Sequence, residues 1–259
     1  MNRNSSPSGL SGAWLFALGF GAVALIFSLV AMFGTGFVLA LLGMPLPPTI
    51  ALALSVAGPT MAALLWRRST GKRFAPIASG TAAEWCALLL LVPAYAGVVI
   101  LTATMSDGTY VLASPMQILA AFATQLLIVA LLEEIGWRGF LAPALLRSVS
   151  PFASAFIVAG VWFAWHLPKF SVGPLYVGLL ALSCVGVSIL AMSLLPRLGL
   201  AACVVLHACA NASLVWFDLD QTDASVQYAT FAATGVFSLL LAVAAMAVDR
   251  RWFFAEPAR

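Results

Sequence analysis

Long runs of apolar residues, each ended by polar residues, glycine or proline, dominate the chain. Apolar runs of roughly 18 or more residues have the length at which a helix crosses the hydrocarbon core of a bilayer. The pattern predicts about eight such helices. They are 13–33, 49–66, 82–104, 115–146, 151–168, 174–195, 199–217 and 225–248. The expected fold is all-α, a polytopic integral membrane protein.

The first apolar run continues beyond residue 33, the predicted end of its helix. Its apolar character continues past Gly34-Thr35-Gly36 to Met44, where Pro45 follows. A bent helix or a short re-entrant segment is predicted there, with a cleaved signal peptide as the alternative. Cleavage is disfavoured because the apolar run exceeds the length of the hydrophobic region of a signal peptide and the membrane character resumes at once.

Composition agrees with this prediction, because 63% of the 259 residues are hydrophobic and only 8% are charged. A soluble domain of this length could not bury so many apolar residues in one core. The net charge of +3 is small, and the positions of charges in a membrane protein report orientation. Nucleic acid is therefore not an expected partner. The lipid bilayer is an expected partner.

The basic residues predict the orientation. If Arg138 is left aside, Lys169 is the only lysine or arginine that falls on one side of an eight-helix arrangement. Those on the other side are Arg3, Arg67, Arg68, Lys72, Arg73, Arg147, Arg197, Arg250, Arg251 and Arg259. Because cytoplasmic loops carry the excess of lysine and arginine, both termini are predicted to be cytoplasmic.

Three charged residues, Glu133, Glu134 and Arg138, lie within the fourth apolar run. Charges at this depth are costly and usually functional. On a helix, residues four apart lie on one face within about 40°, whereas residues five apart diverge by about 140°. Arg138 is therefore predicted to pair with Glu134, which leaves the carboxylate of Glu133 free for another role.

Both histidines of the chain, His166 and His207, also fall within predicted membrane helices. Asn211 follows His207 by one helical turn, and Trp162 precedes His166 by the same spacing. At about 1.5 Å per residue, Glu133, His166, His207 and Asn211 lie about 21, 24, 15 and 21 Å from the predicted cytoplasmic ends of their helices. Each of these polar groups, taken alone, could be explained by a structural ion pair or by hydrogen bonds between helices. Their similar depth favours one shared site.

The motifs resemble those of the CaaX-processing and bacteriocin-processing family of intramembrane endopeptidases. The first is Glu133-Glu134-Ile135-Gly136-Trp137-Arg138, the second runs from Trp162 to His166, and the third from His207 to Asn211. The family usually has Phe where this chain has Trp162. The resemblance implies that Glu133 and His166 activate a water for attack on a peptide carbonyl, supported by Glu134 and Arg138. It implies that His207 and Asn211 form the oxyanion hole.

Within this class, no cofactor is expected and the predicted mechanism is a glutamate-activated water without metal, as the resemblance implies. Zinc held by Glu133, His166 and His207 stays open as the alternative, although the chain has no His-Glu-x-x-His helix and no paired-thiolate motif. A non-catalytic membrane scaffold or bacteriocin self-immunity factor is the second hypothesis. A proton-coupled transporter is the third, and it predicts matching repeats that the sequence lacks.

The predicted organisation is a short polar segment over 1–12, one transmembrane domain over 13–248 and a cytoplasmic tail over 249–259. The catalytic core is placed at 115–217. The predicted location is the plasma membrane, and the predicted substrate is a membrane-bound or lipidated protein or peptide. No sequence pattern sets the oligomeric state or the substrate.

Overall fold

A computed structural model of the chain describes residues 9–70, 74–212 and 215–256. The predicted N-terminal segment and cytoplasmic tail thus lie partly outside the described residues, and α1 already begins at Gly9. Four of the basic residues that predict the orientation also lie outside them, namely Arg3, Lys72, Arg73 and Arg259. The cytoplasmic location of both termini stays a prediction.

The described residues form helices connected by short loops, with one isolated β-bridge between Leu112 and Phe217. The α-helices are α1 Gly9–Leu41, α2 Pro48–Val56, α3 Gly58–Thr70, α4 Ala82–Leu89, α5 Leu91–Thr104, α6 Pro115–Thr124, α7 Leu131–Gly136, α8 Ala142–Leu145, α9 Pro151–Trp165, α10 Pro174–Leu198, α11 Leu200–Asn211, α12 Ala224–Val248 and α13 Arg250–Phe253. The prediction of an all-α fold is confirmed.

Five helical segments among the described residues are long and apolar enough to cross a membrane. They are Gly9–Leu41, Ala82–Thr104, Pro115–Leu145, Pro174–Leu198 and Ala224–Val248. The pair α2 and α3 gives a sixth span if its two halves are counted together. The α9 and α11 helices are apolar but shorter, so the number of eight spans stays a prediction.

The first two segments differ from the predicted pattern. The α1 helix runs unbroken for 33 residues to Leu41, so it extends beyond its predicted end at residue 33. A bend lies between α2 and α3, which meet at 43°. Pro59 follows this break, and since proline has no N–H it cannot continue the hydrogen bonding of α2 into α3.

The fourth segment, Pro115–Leu145, is one span whose helix is irregular. Two π-helical turns interrupt it, Gln125–Ala130 before the glutamates and Trp137–Leu141 at Arg138. The predicted regular helix is therefore wrong at these turns. The carbonyl of Gly139, in the second turn, accepts a hydrogen bond from the N–H of Ala75 in the loop after α3, at 2.8 Å. Such π-helical turns are frequent at functional sites.

The predicted seventh helix, 199–217, is too long. The α11 helix ends at Asn211, and the N–H of Ala113 bonds to the carbonyl of Trp216 at 3.0 Å. Trp216 and Phe217 therefore pair with the segment before α6 and do not extend the helix. This loop contact lies one residue beside the Leu112–Phe217 bridge.

Two glycines allow three helices to approach closely around the start of α3. A Cβ at Gly58 would lie 1.9 Å from the carbonyl oxygen of Ala24 in α1. A Cβ at Gly136, between Glu134 and Arg138 on the chain, would lie 2.4 Å from the backbone of Pro59. Only glycine fits at either contact. The backbone of α7 is thereby held directly against α3.

Candidate active site

A cavity of about 400 Å³ lies among α1, α2, the segment from Gln125 to Glu133, the end of α9, and α10, α11 and α12. Its walls are mainly apolar. All four of the polar groups expected to meet at one depth line it, namely Glu133, His166, His207 and Asn211. The structure thus brings them together from three separate helical segments. Glu134 and Arg138 do not line the cavity and are completely buried.

Glu133 is held by a hydrogen bond from a neighbouring segment. The indole Nε1–H of Trp162 on α9 donates to Oε2 of Glu133 at 2.7 Å. The side chain is buried from bulk solvent but contributes to the cavity wall. This contact fixes the carboxylate relative to α9, so that the group faces the same space as His166.

The predicted pair between Arg138 and Glu134 is confirmed. Arg138 Nη1 donates to Oε1 of Glu134 at 2.5 Å, and neither side chain is exposed. The same oxygen lies 2.8 Å from Nδ1 of His207 on α11. Glu134 therefore joins Arg138 to one of the cavity-lining histidines, a contact that the sequence pattern did not indicate.

His166 lies where α9 ends and a 3₁₀ turn, Leu167–Val172, begins. Its Nδ1 is 2.9 Å from the backbone carbonyl of Trp162. Because a carbonyl oxygen can only accept a hydrogen bond, Nδ1 carries the proton in this contact. In the neutral ring, Nε2 is then the nitrogen with a free lone pair, and it can accept a proton.

Trp162 contacts most of the polar cluster. The guanidinium of Arg138 lies 4.7 Å from the centre of its ring, and the His207 ring lies 4.9 Å away in an edge-on arrangement. Its ring also lies 6.0 Å from that of His166, so it forms a flat wall beside the imidazole. Its indole N–H bond to Glu133 is an additional function that the sequence pattern missed.

We expect Trp162→Phe to lower the turnover of a cleaved peptide about 10- to 100-fold while the protein stays folded. Phenylalanine keeps a wall but removes the N–H that donates to Glu133, and a hydrogen bond to a charged group contributes about 1.5–3 kcal/mol. Peptide hydrolysis and thermal unfolding in detergent measure the two effects. Turnover equal to that of the unchanged protein would show that the indole N–H does not position Glu133.

Asn211 has a partner that the sequence analysis did not single out. Its Nδ2 donates to Oε1 of Gln125 at 3.1 Å. Gln125 begins the first π-helical turn and also lines the cavity. Because the contact occupies one N–H of the amide, the second remains to be donated elsewhere. The sequence feature that could have indicated Gln125 is its position as an uncharged polar residue inside an apolar run, two helical turns before Glu133.

Lys169 also lines the cavity, and the sequence pattern did not assign it to the site. Its one distinctive feature in the sequence is that it falls alone on its side of the predicted topology. No group of three His, Cys, Asp or Glu side chains in the described ranges is arranged to hold a metal ion. The absence of a metal stays a prediction.

Comparison with known proteins agrees with the motifs. A family described as "Type II CAAX prenyl endopeptidase Rce1-like" matches residues 115–213. This span contains Glu133, Glu134, Arg138, His166, His207 and Asn211. A search of curated proteins gave no match. The apolar helices indicate a multi-pass membrane protein. The match confirms the resemblance that the sequence motifs carry, namely that the central part of this chain is similar to the CAAX protease family.

Proposed function

We propose that the chain is an intramembrane endopeptidase that hydrolyses a peptide bond of a membrane-associated protein or peptide. The observation that carries the proposal is the convergence of Glu133, His166, His207 and Asn211 on one largely apolar cavity. This combination offers groups that accept a proton and groups that donate hydrogen bonds to a developing negative charge. The family match to residues 115–213 supports the same reaction class.

In the proposed reaction, a water bound between Glu133 and His166 attacks the carbonyl carbon of the substrate. The carboxylate of Glu133 takes one proton from the water while the oxygen of the water bonds to the carbonyl carbon. The C–N bond then breaks, and the departing amine receives this proton. Nε2 of His166 can orient the water because its Nδ1–H is already engaged by Trp162.

The proposed oxyanion hole consists of His207 and Asn211, which lie one helical turn apart on α11. The free N–H of the Asn211 amide is one donor, since Gln125 occupies the other. For Nε2 of His207 to be the second donor, the ring must carry both protons, because Nδ1 donates to Glu134. The Glu134 carboxylate holds the ring through Nδ1, and Arg138 holds the carboxylate in place.

The apolar walls suit a hydrophobic peptide, and residues of α1 and α2 complete them on one side. We therefore propose a membrane-bound or lipidated substrate, prenylated CAAX proteins being the class that the family description names. The plasma membrane is the proposed location. No metal takes part in the proposed reaction.

A chelation experiment tests the proposed reaction. The purified protein in lipid vesicles is incubated with a library of hydrophobic synthetic peptides, and the products are identified by mass spectrometry. We expect cleavage to continue at the same rate after treatment with a chelator and removal of free metal. Loss of activity on chelation, restored by added zinc, would contradict the metal-free reaction. No cleavage of any peptide would contradict the endopeptidase itself.

A further inference from the structure

Gln125 lines the cavity, and the proposed reaction gives it no step of its own. Its Oε1 accepts a hydrogen bond from Nδ2 of Asn211 on α11, at 3.1 Å. Among the described residues, this is the only hydrogen bond that either side-chain amide makes. The orientation of the Asn211 amide is therefore tied to Gln125.

The first π-helical turn, Gln125–Ala130, brings Gln125 to the same cavity as Glu133. On a regular α-helix, residues eight apart differ in direction by about 80°, because each residue adds about 100°. A π-helical turn holds one residue more in its hydrogen-bonded ring than an α-helical turn. The extra residue reduces the difference between Gln125 and Glu133 to about 20°. The irregular turn thus places an amide and a carboxylate on one face of the segment.

This π-helical turn packs directly against α11. Ala130 at its end and Ala208 and Val204 on α11 belong to one buried apolar cluster. Small side chains at a helix interface let the two backbones approach closely. Because Ala208 lies one helical turn or less from Asn211, this packing also sets the distance between Asn211 and the segment that carries Gln125. The hydrogen bond between the two amides spans a packed interface.

The two ends of the Asn211 amide have opposite effects on a negative charge. An N–H on Nδ2 can donate to a developing oxyanion, whereas the carbonyl oxygen repels it. The terminal torsion of an asparagine side chain is broad, so the torsion itself does not select one end. Only the nitrogen end can donate to Oε1 of Gln125. This bond therefore holds the nitrogen, with its second N–H, at one place beside the cavity.

We propose that Gln125 is a positioning residue, which holds the amide of Asn211 in the orientation that donates to the oxyanion. The inference rests on the proposed endopeptidase function and adds the group on which one donor of the oxyanion hole depends. A donor that is already oriented needs no reorganisation when charge develops in the transition state. An interaction that is stronger in the transition state than with bound substrate changes turnover and leaves KM unchanged.

The test measures kcat and KM for peptide hydrolysis in lipid vesicles. The proteins are the unchanged chain, Gln125→Leu, Asn211→Ala and the double variant of these two changes. Leucine removes the amide of Gln125 and leaves an apolar side chain. Gln221→Leu is the matched control, because Gln221 is exposed on the 3₁₀ turn Leu219–Gln221 and does not line the cavity. Thermal unfolding in detergent shows whether each variant is folded.

We expect Gln125→Leu to lower kcat about 3- to 10-fold, the range for one neutral hydrogen bond, with KM unchanged. Asn211→Ala should lower kcat about 100- to 1,000-fold, because it removes a donor of the oxyanion hole. The double variant should be no slower than Asn211→Ala, since no amide is left to position. Gln125→Asn stays polar but withdraws the acceptor by one carbon. It should behave as Gln125→Leu, and it decides the question if the leucine variant is unfolded.

Two results would overturn the inference and leave the endopeptidase function intact. One is an unchanged kcat in the folded Gln125 variants. The other is the same loss from Gln125→Leu whether or not Asn211 is present, which would give Gln125 a role independent of that amide. Full activity of Asn211→Ala would remove the donor itself, and this inference with it. If the unchanged protein cleaves no peptide, the endopeptidase function fails as well.

Discussion

Glu133→Gln is expected to reduce peptide hydrolysis by about 100- to 10,000-fold, the range that general acid–base catalysis contributes. Glutamine has the same size and can still accept the hydrogen bond from Trp162, so the cavity wall is preserved. It cannot take a proton from water. The loss should therefore appear in turnover with little change in KM. The melting temperature in detergent should remain that of the unchanged protein.

Two further variants make this result interpretable. Asp107→Asn removes an exposed carboxylate from a loop outside the cavity, so it should leave turnover unchanged. His166→Ala should reduce turnover comparably to Glu133→Gln, since both groups are proposed to hold the same water. Substantial activity in either site variant would remove that residue from the mechanism.

Glu134→Ala is expected to lower stability as well as activity. It leaves the completely buried Arg138 without its carboxylate and His207 without its Nδ1 partner. Removing one member of a buried ion pair typically costs about 3–5 kcal/mol, because the other charge stays buried and unpaired. Unfolding in detergent, followed by heat or denaturant, should show this loss. Peptide hydrolysis should fall with it.

The double variant Glu134→Leu, Arg138→Met separates the two effects. Replacing a buried pair by apolar residues of similar volume is often neutral for stability. We expect this protein to regain most of the lost stability yet remain inactive, because His207 still lacks its partner.

A Glu134→Ala protein as stable as the unchanged one but inactive would show that the roles of the two carboxylates are reversed.

The pairing of Arg138 with Glu134 was predictable because it depends only on helical spacing within one segment. The common position of Glu133, His166, His207 and Asn211 followed from counting residues to the ends of their helices. That estimate tolerated the two π-helical turns, since all four groups line one cavity. Helical spacing and the depth of each residue along its helix were therefore sufficient to predict which residues lie together.

Contacts between helices were not predictable in the same way. The bonds of Trp162 to Glu133 and of Glu134 to His207 depend on how each helix is rotated against its neighbour. Close packing between helices sets that rotation, for example where Gly136 contacts Pro59. A helix that is apolar on all sides has no polar face, so its sequence pattern does not predict how it is rotated. The partner of Asn211 was missed because Gln125 lies in an irregular turn that the sequence pattern did not predict.

The most direct test of the endopeptidase compares the membrane proteomes of cells that carry the unchanged protein or Glu133→Gln. New peptide termini are identified by mass spectrometry after both proteins are shown to reach equal levels in the membrane. We predict termini that occur only with the unchanged protein, in membrane-associated proteins, which would identify the substrate as well. Identical termini in both cells, with no difference in phenotype, would contradict proteolysis and favour a scaffold that retains the protease architecture.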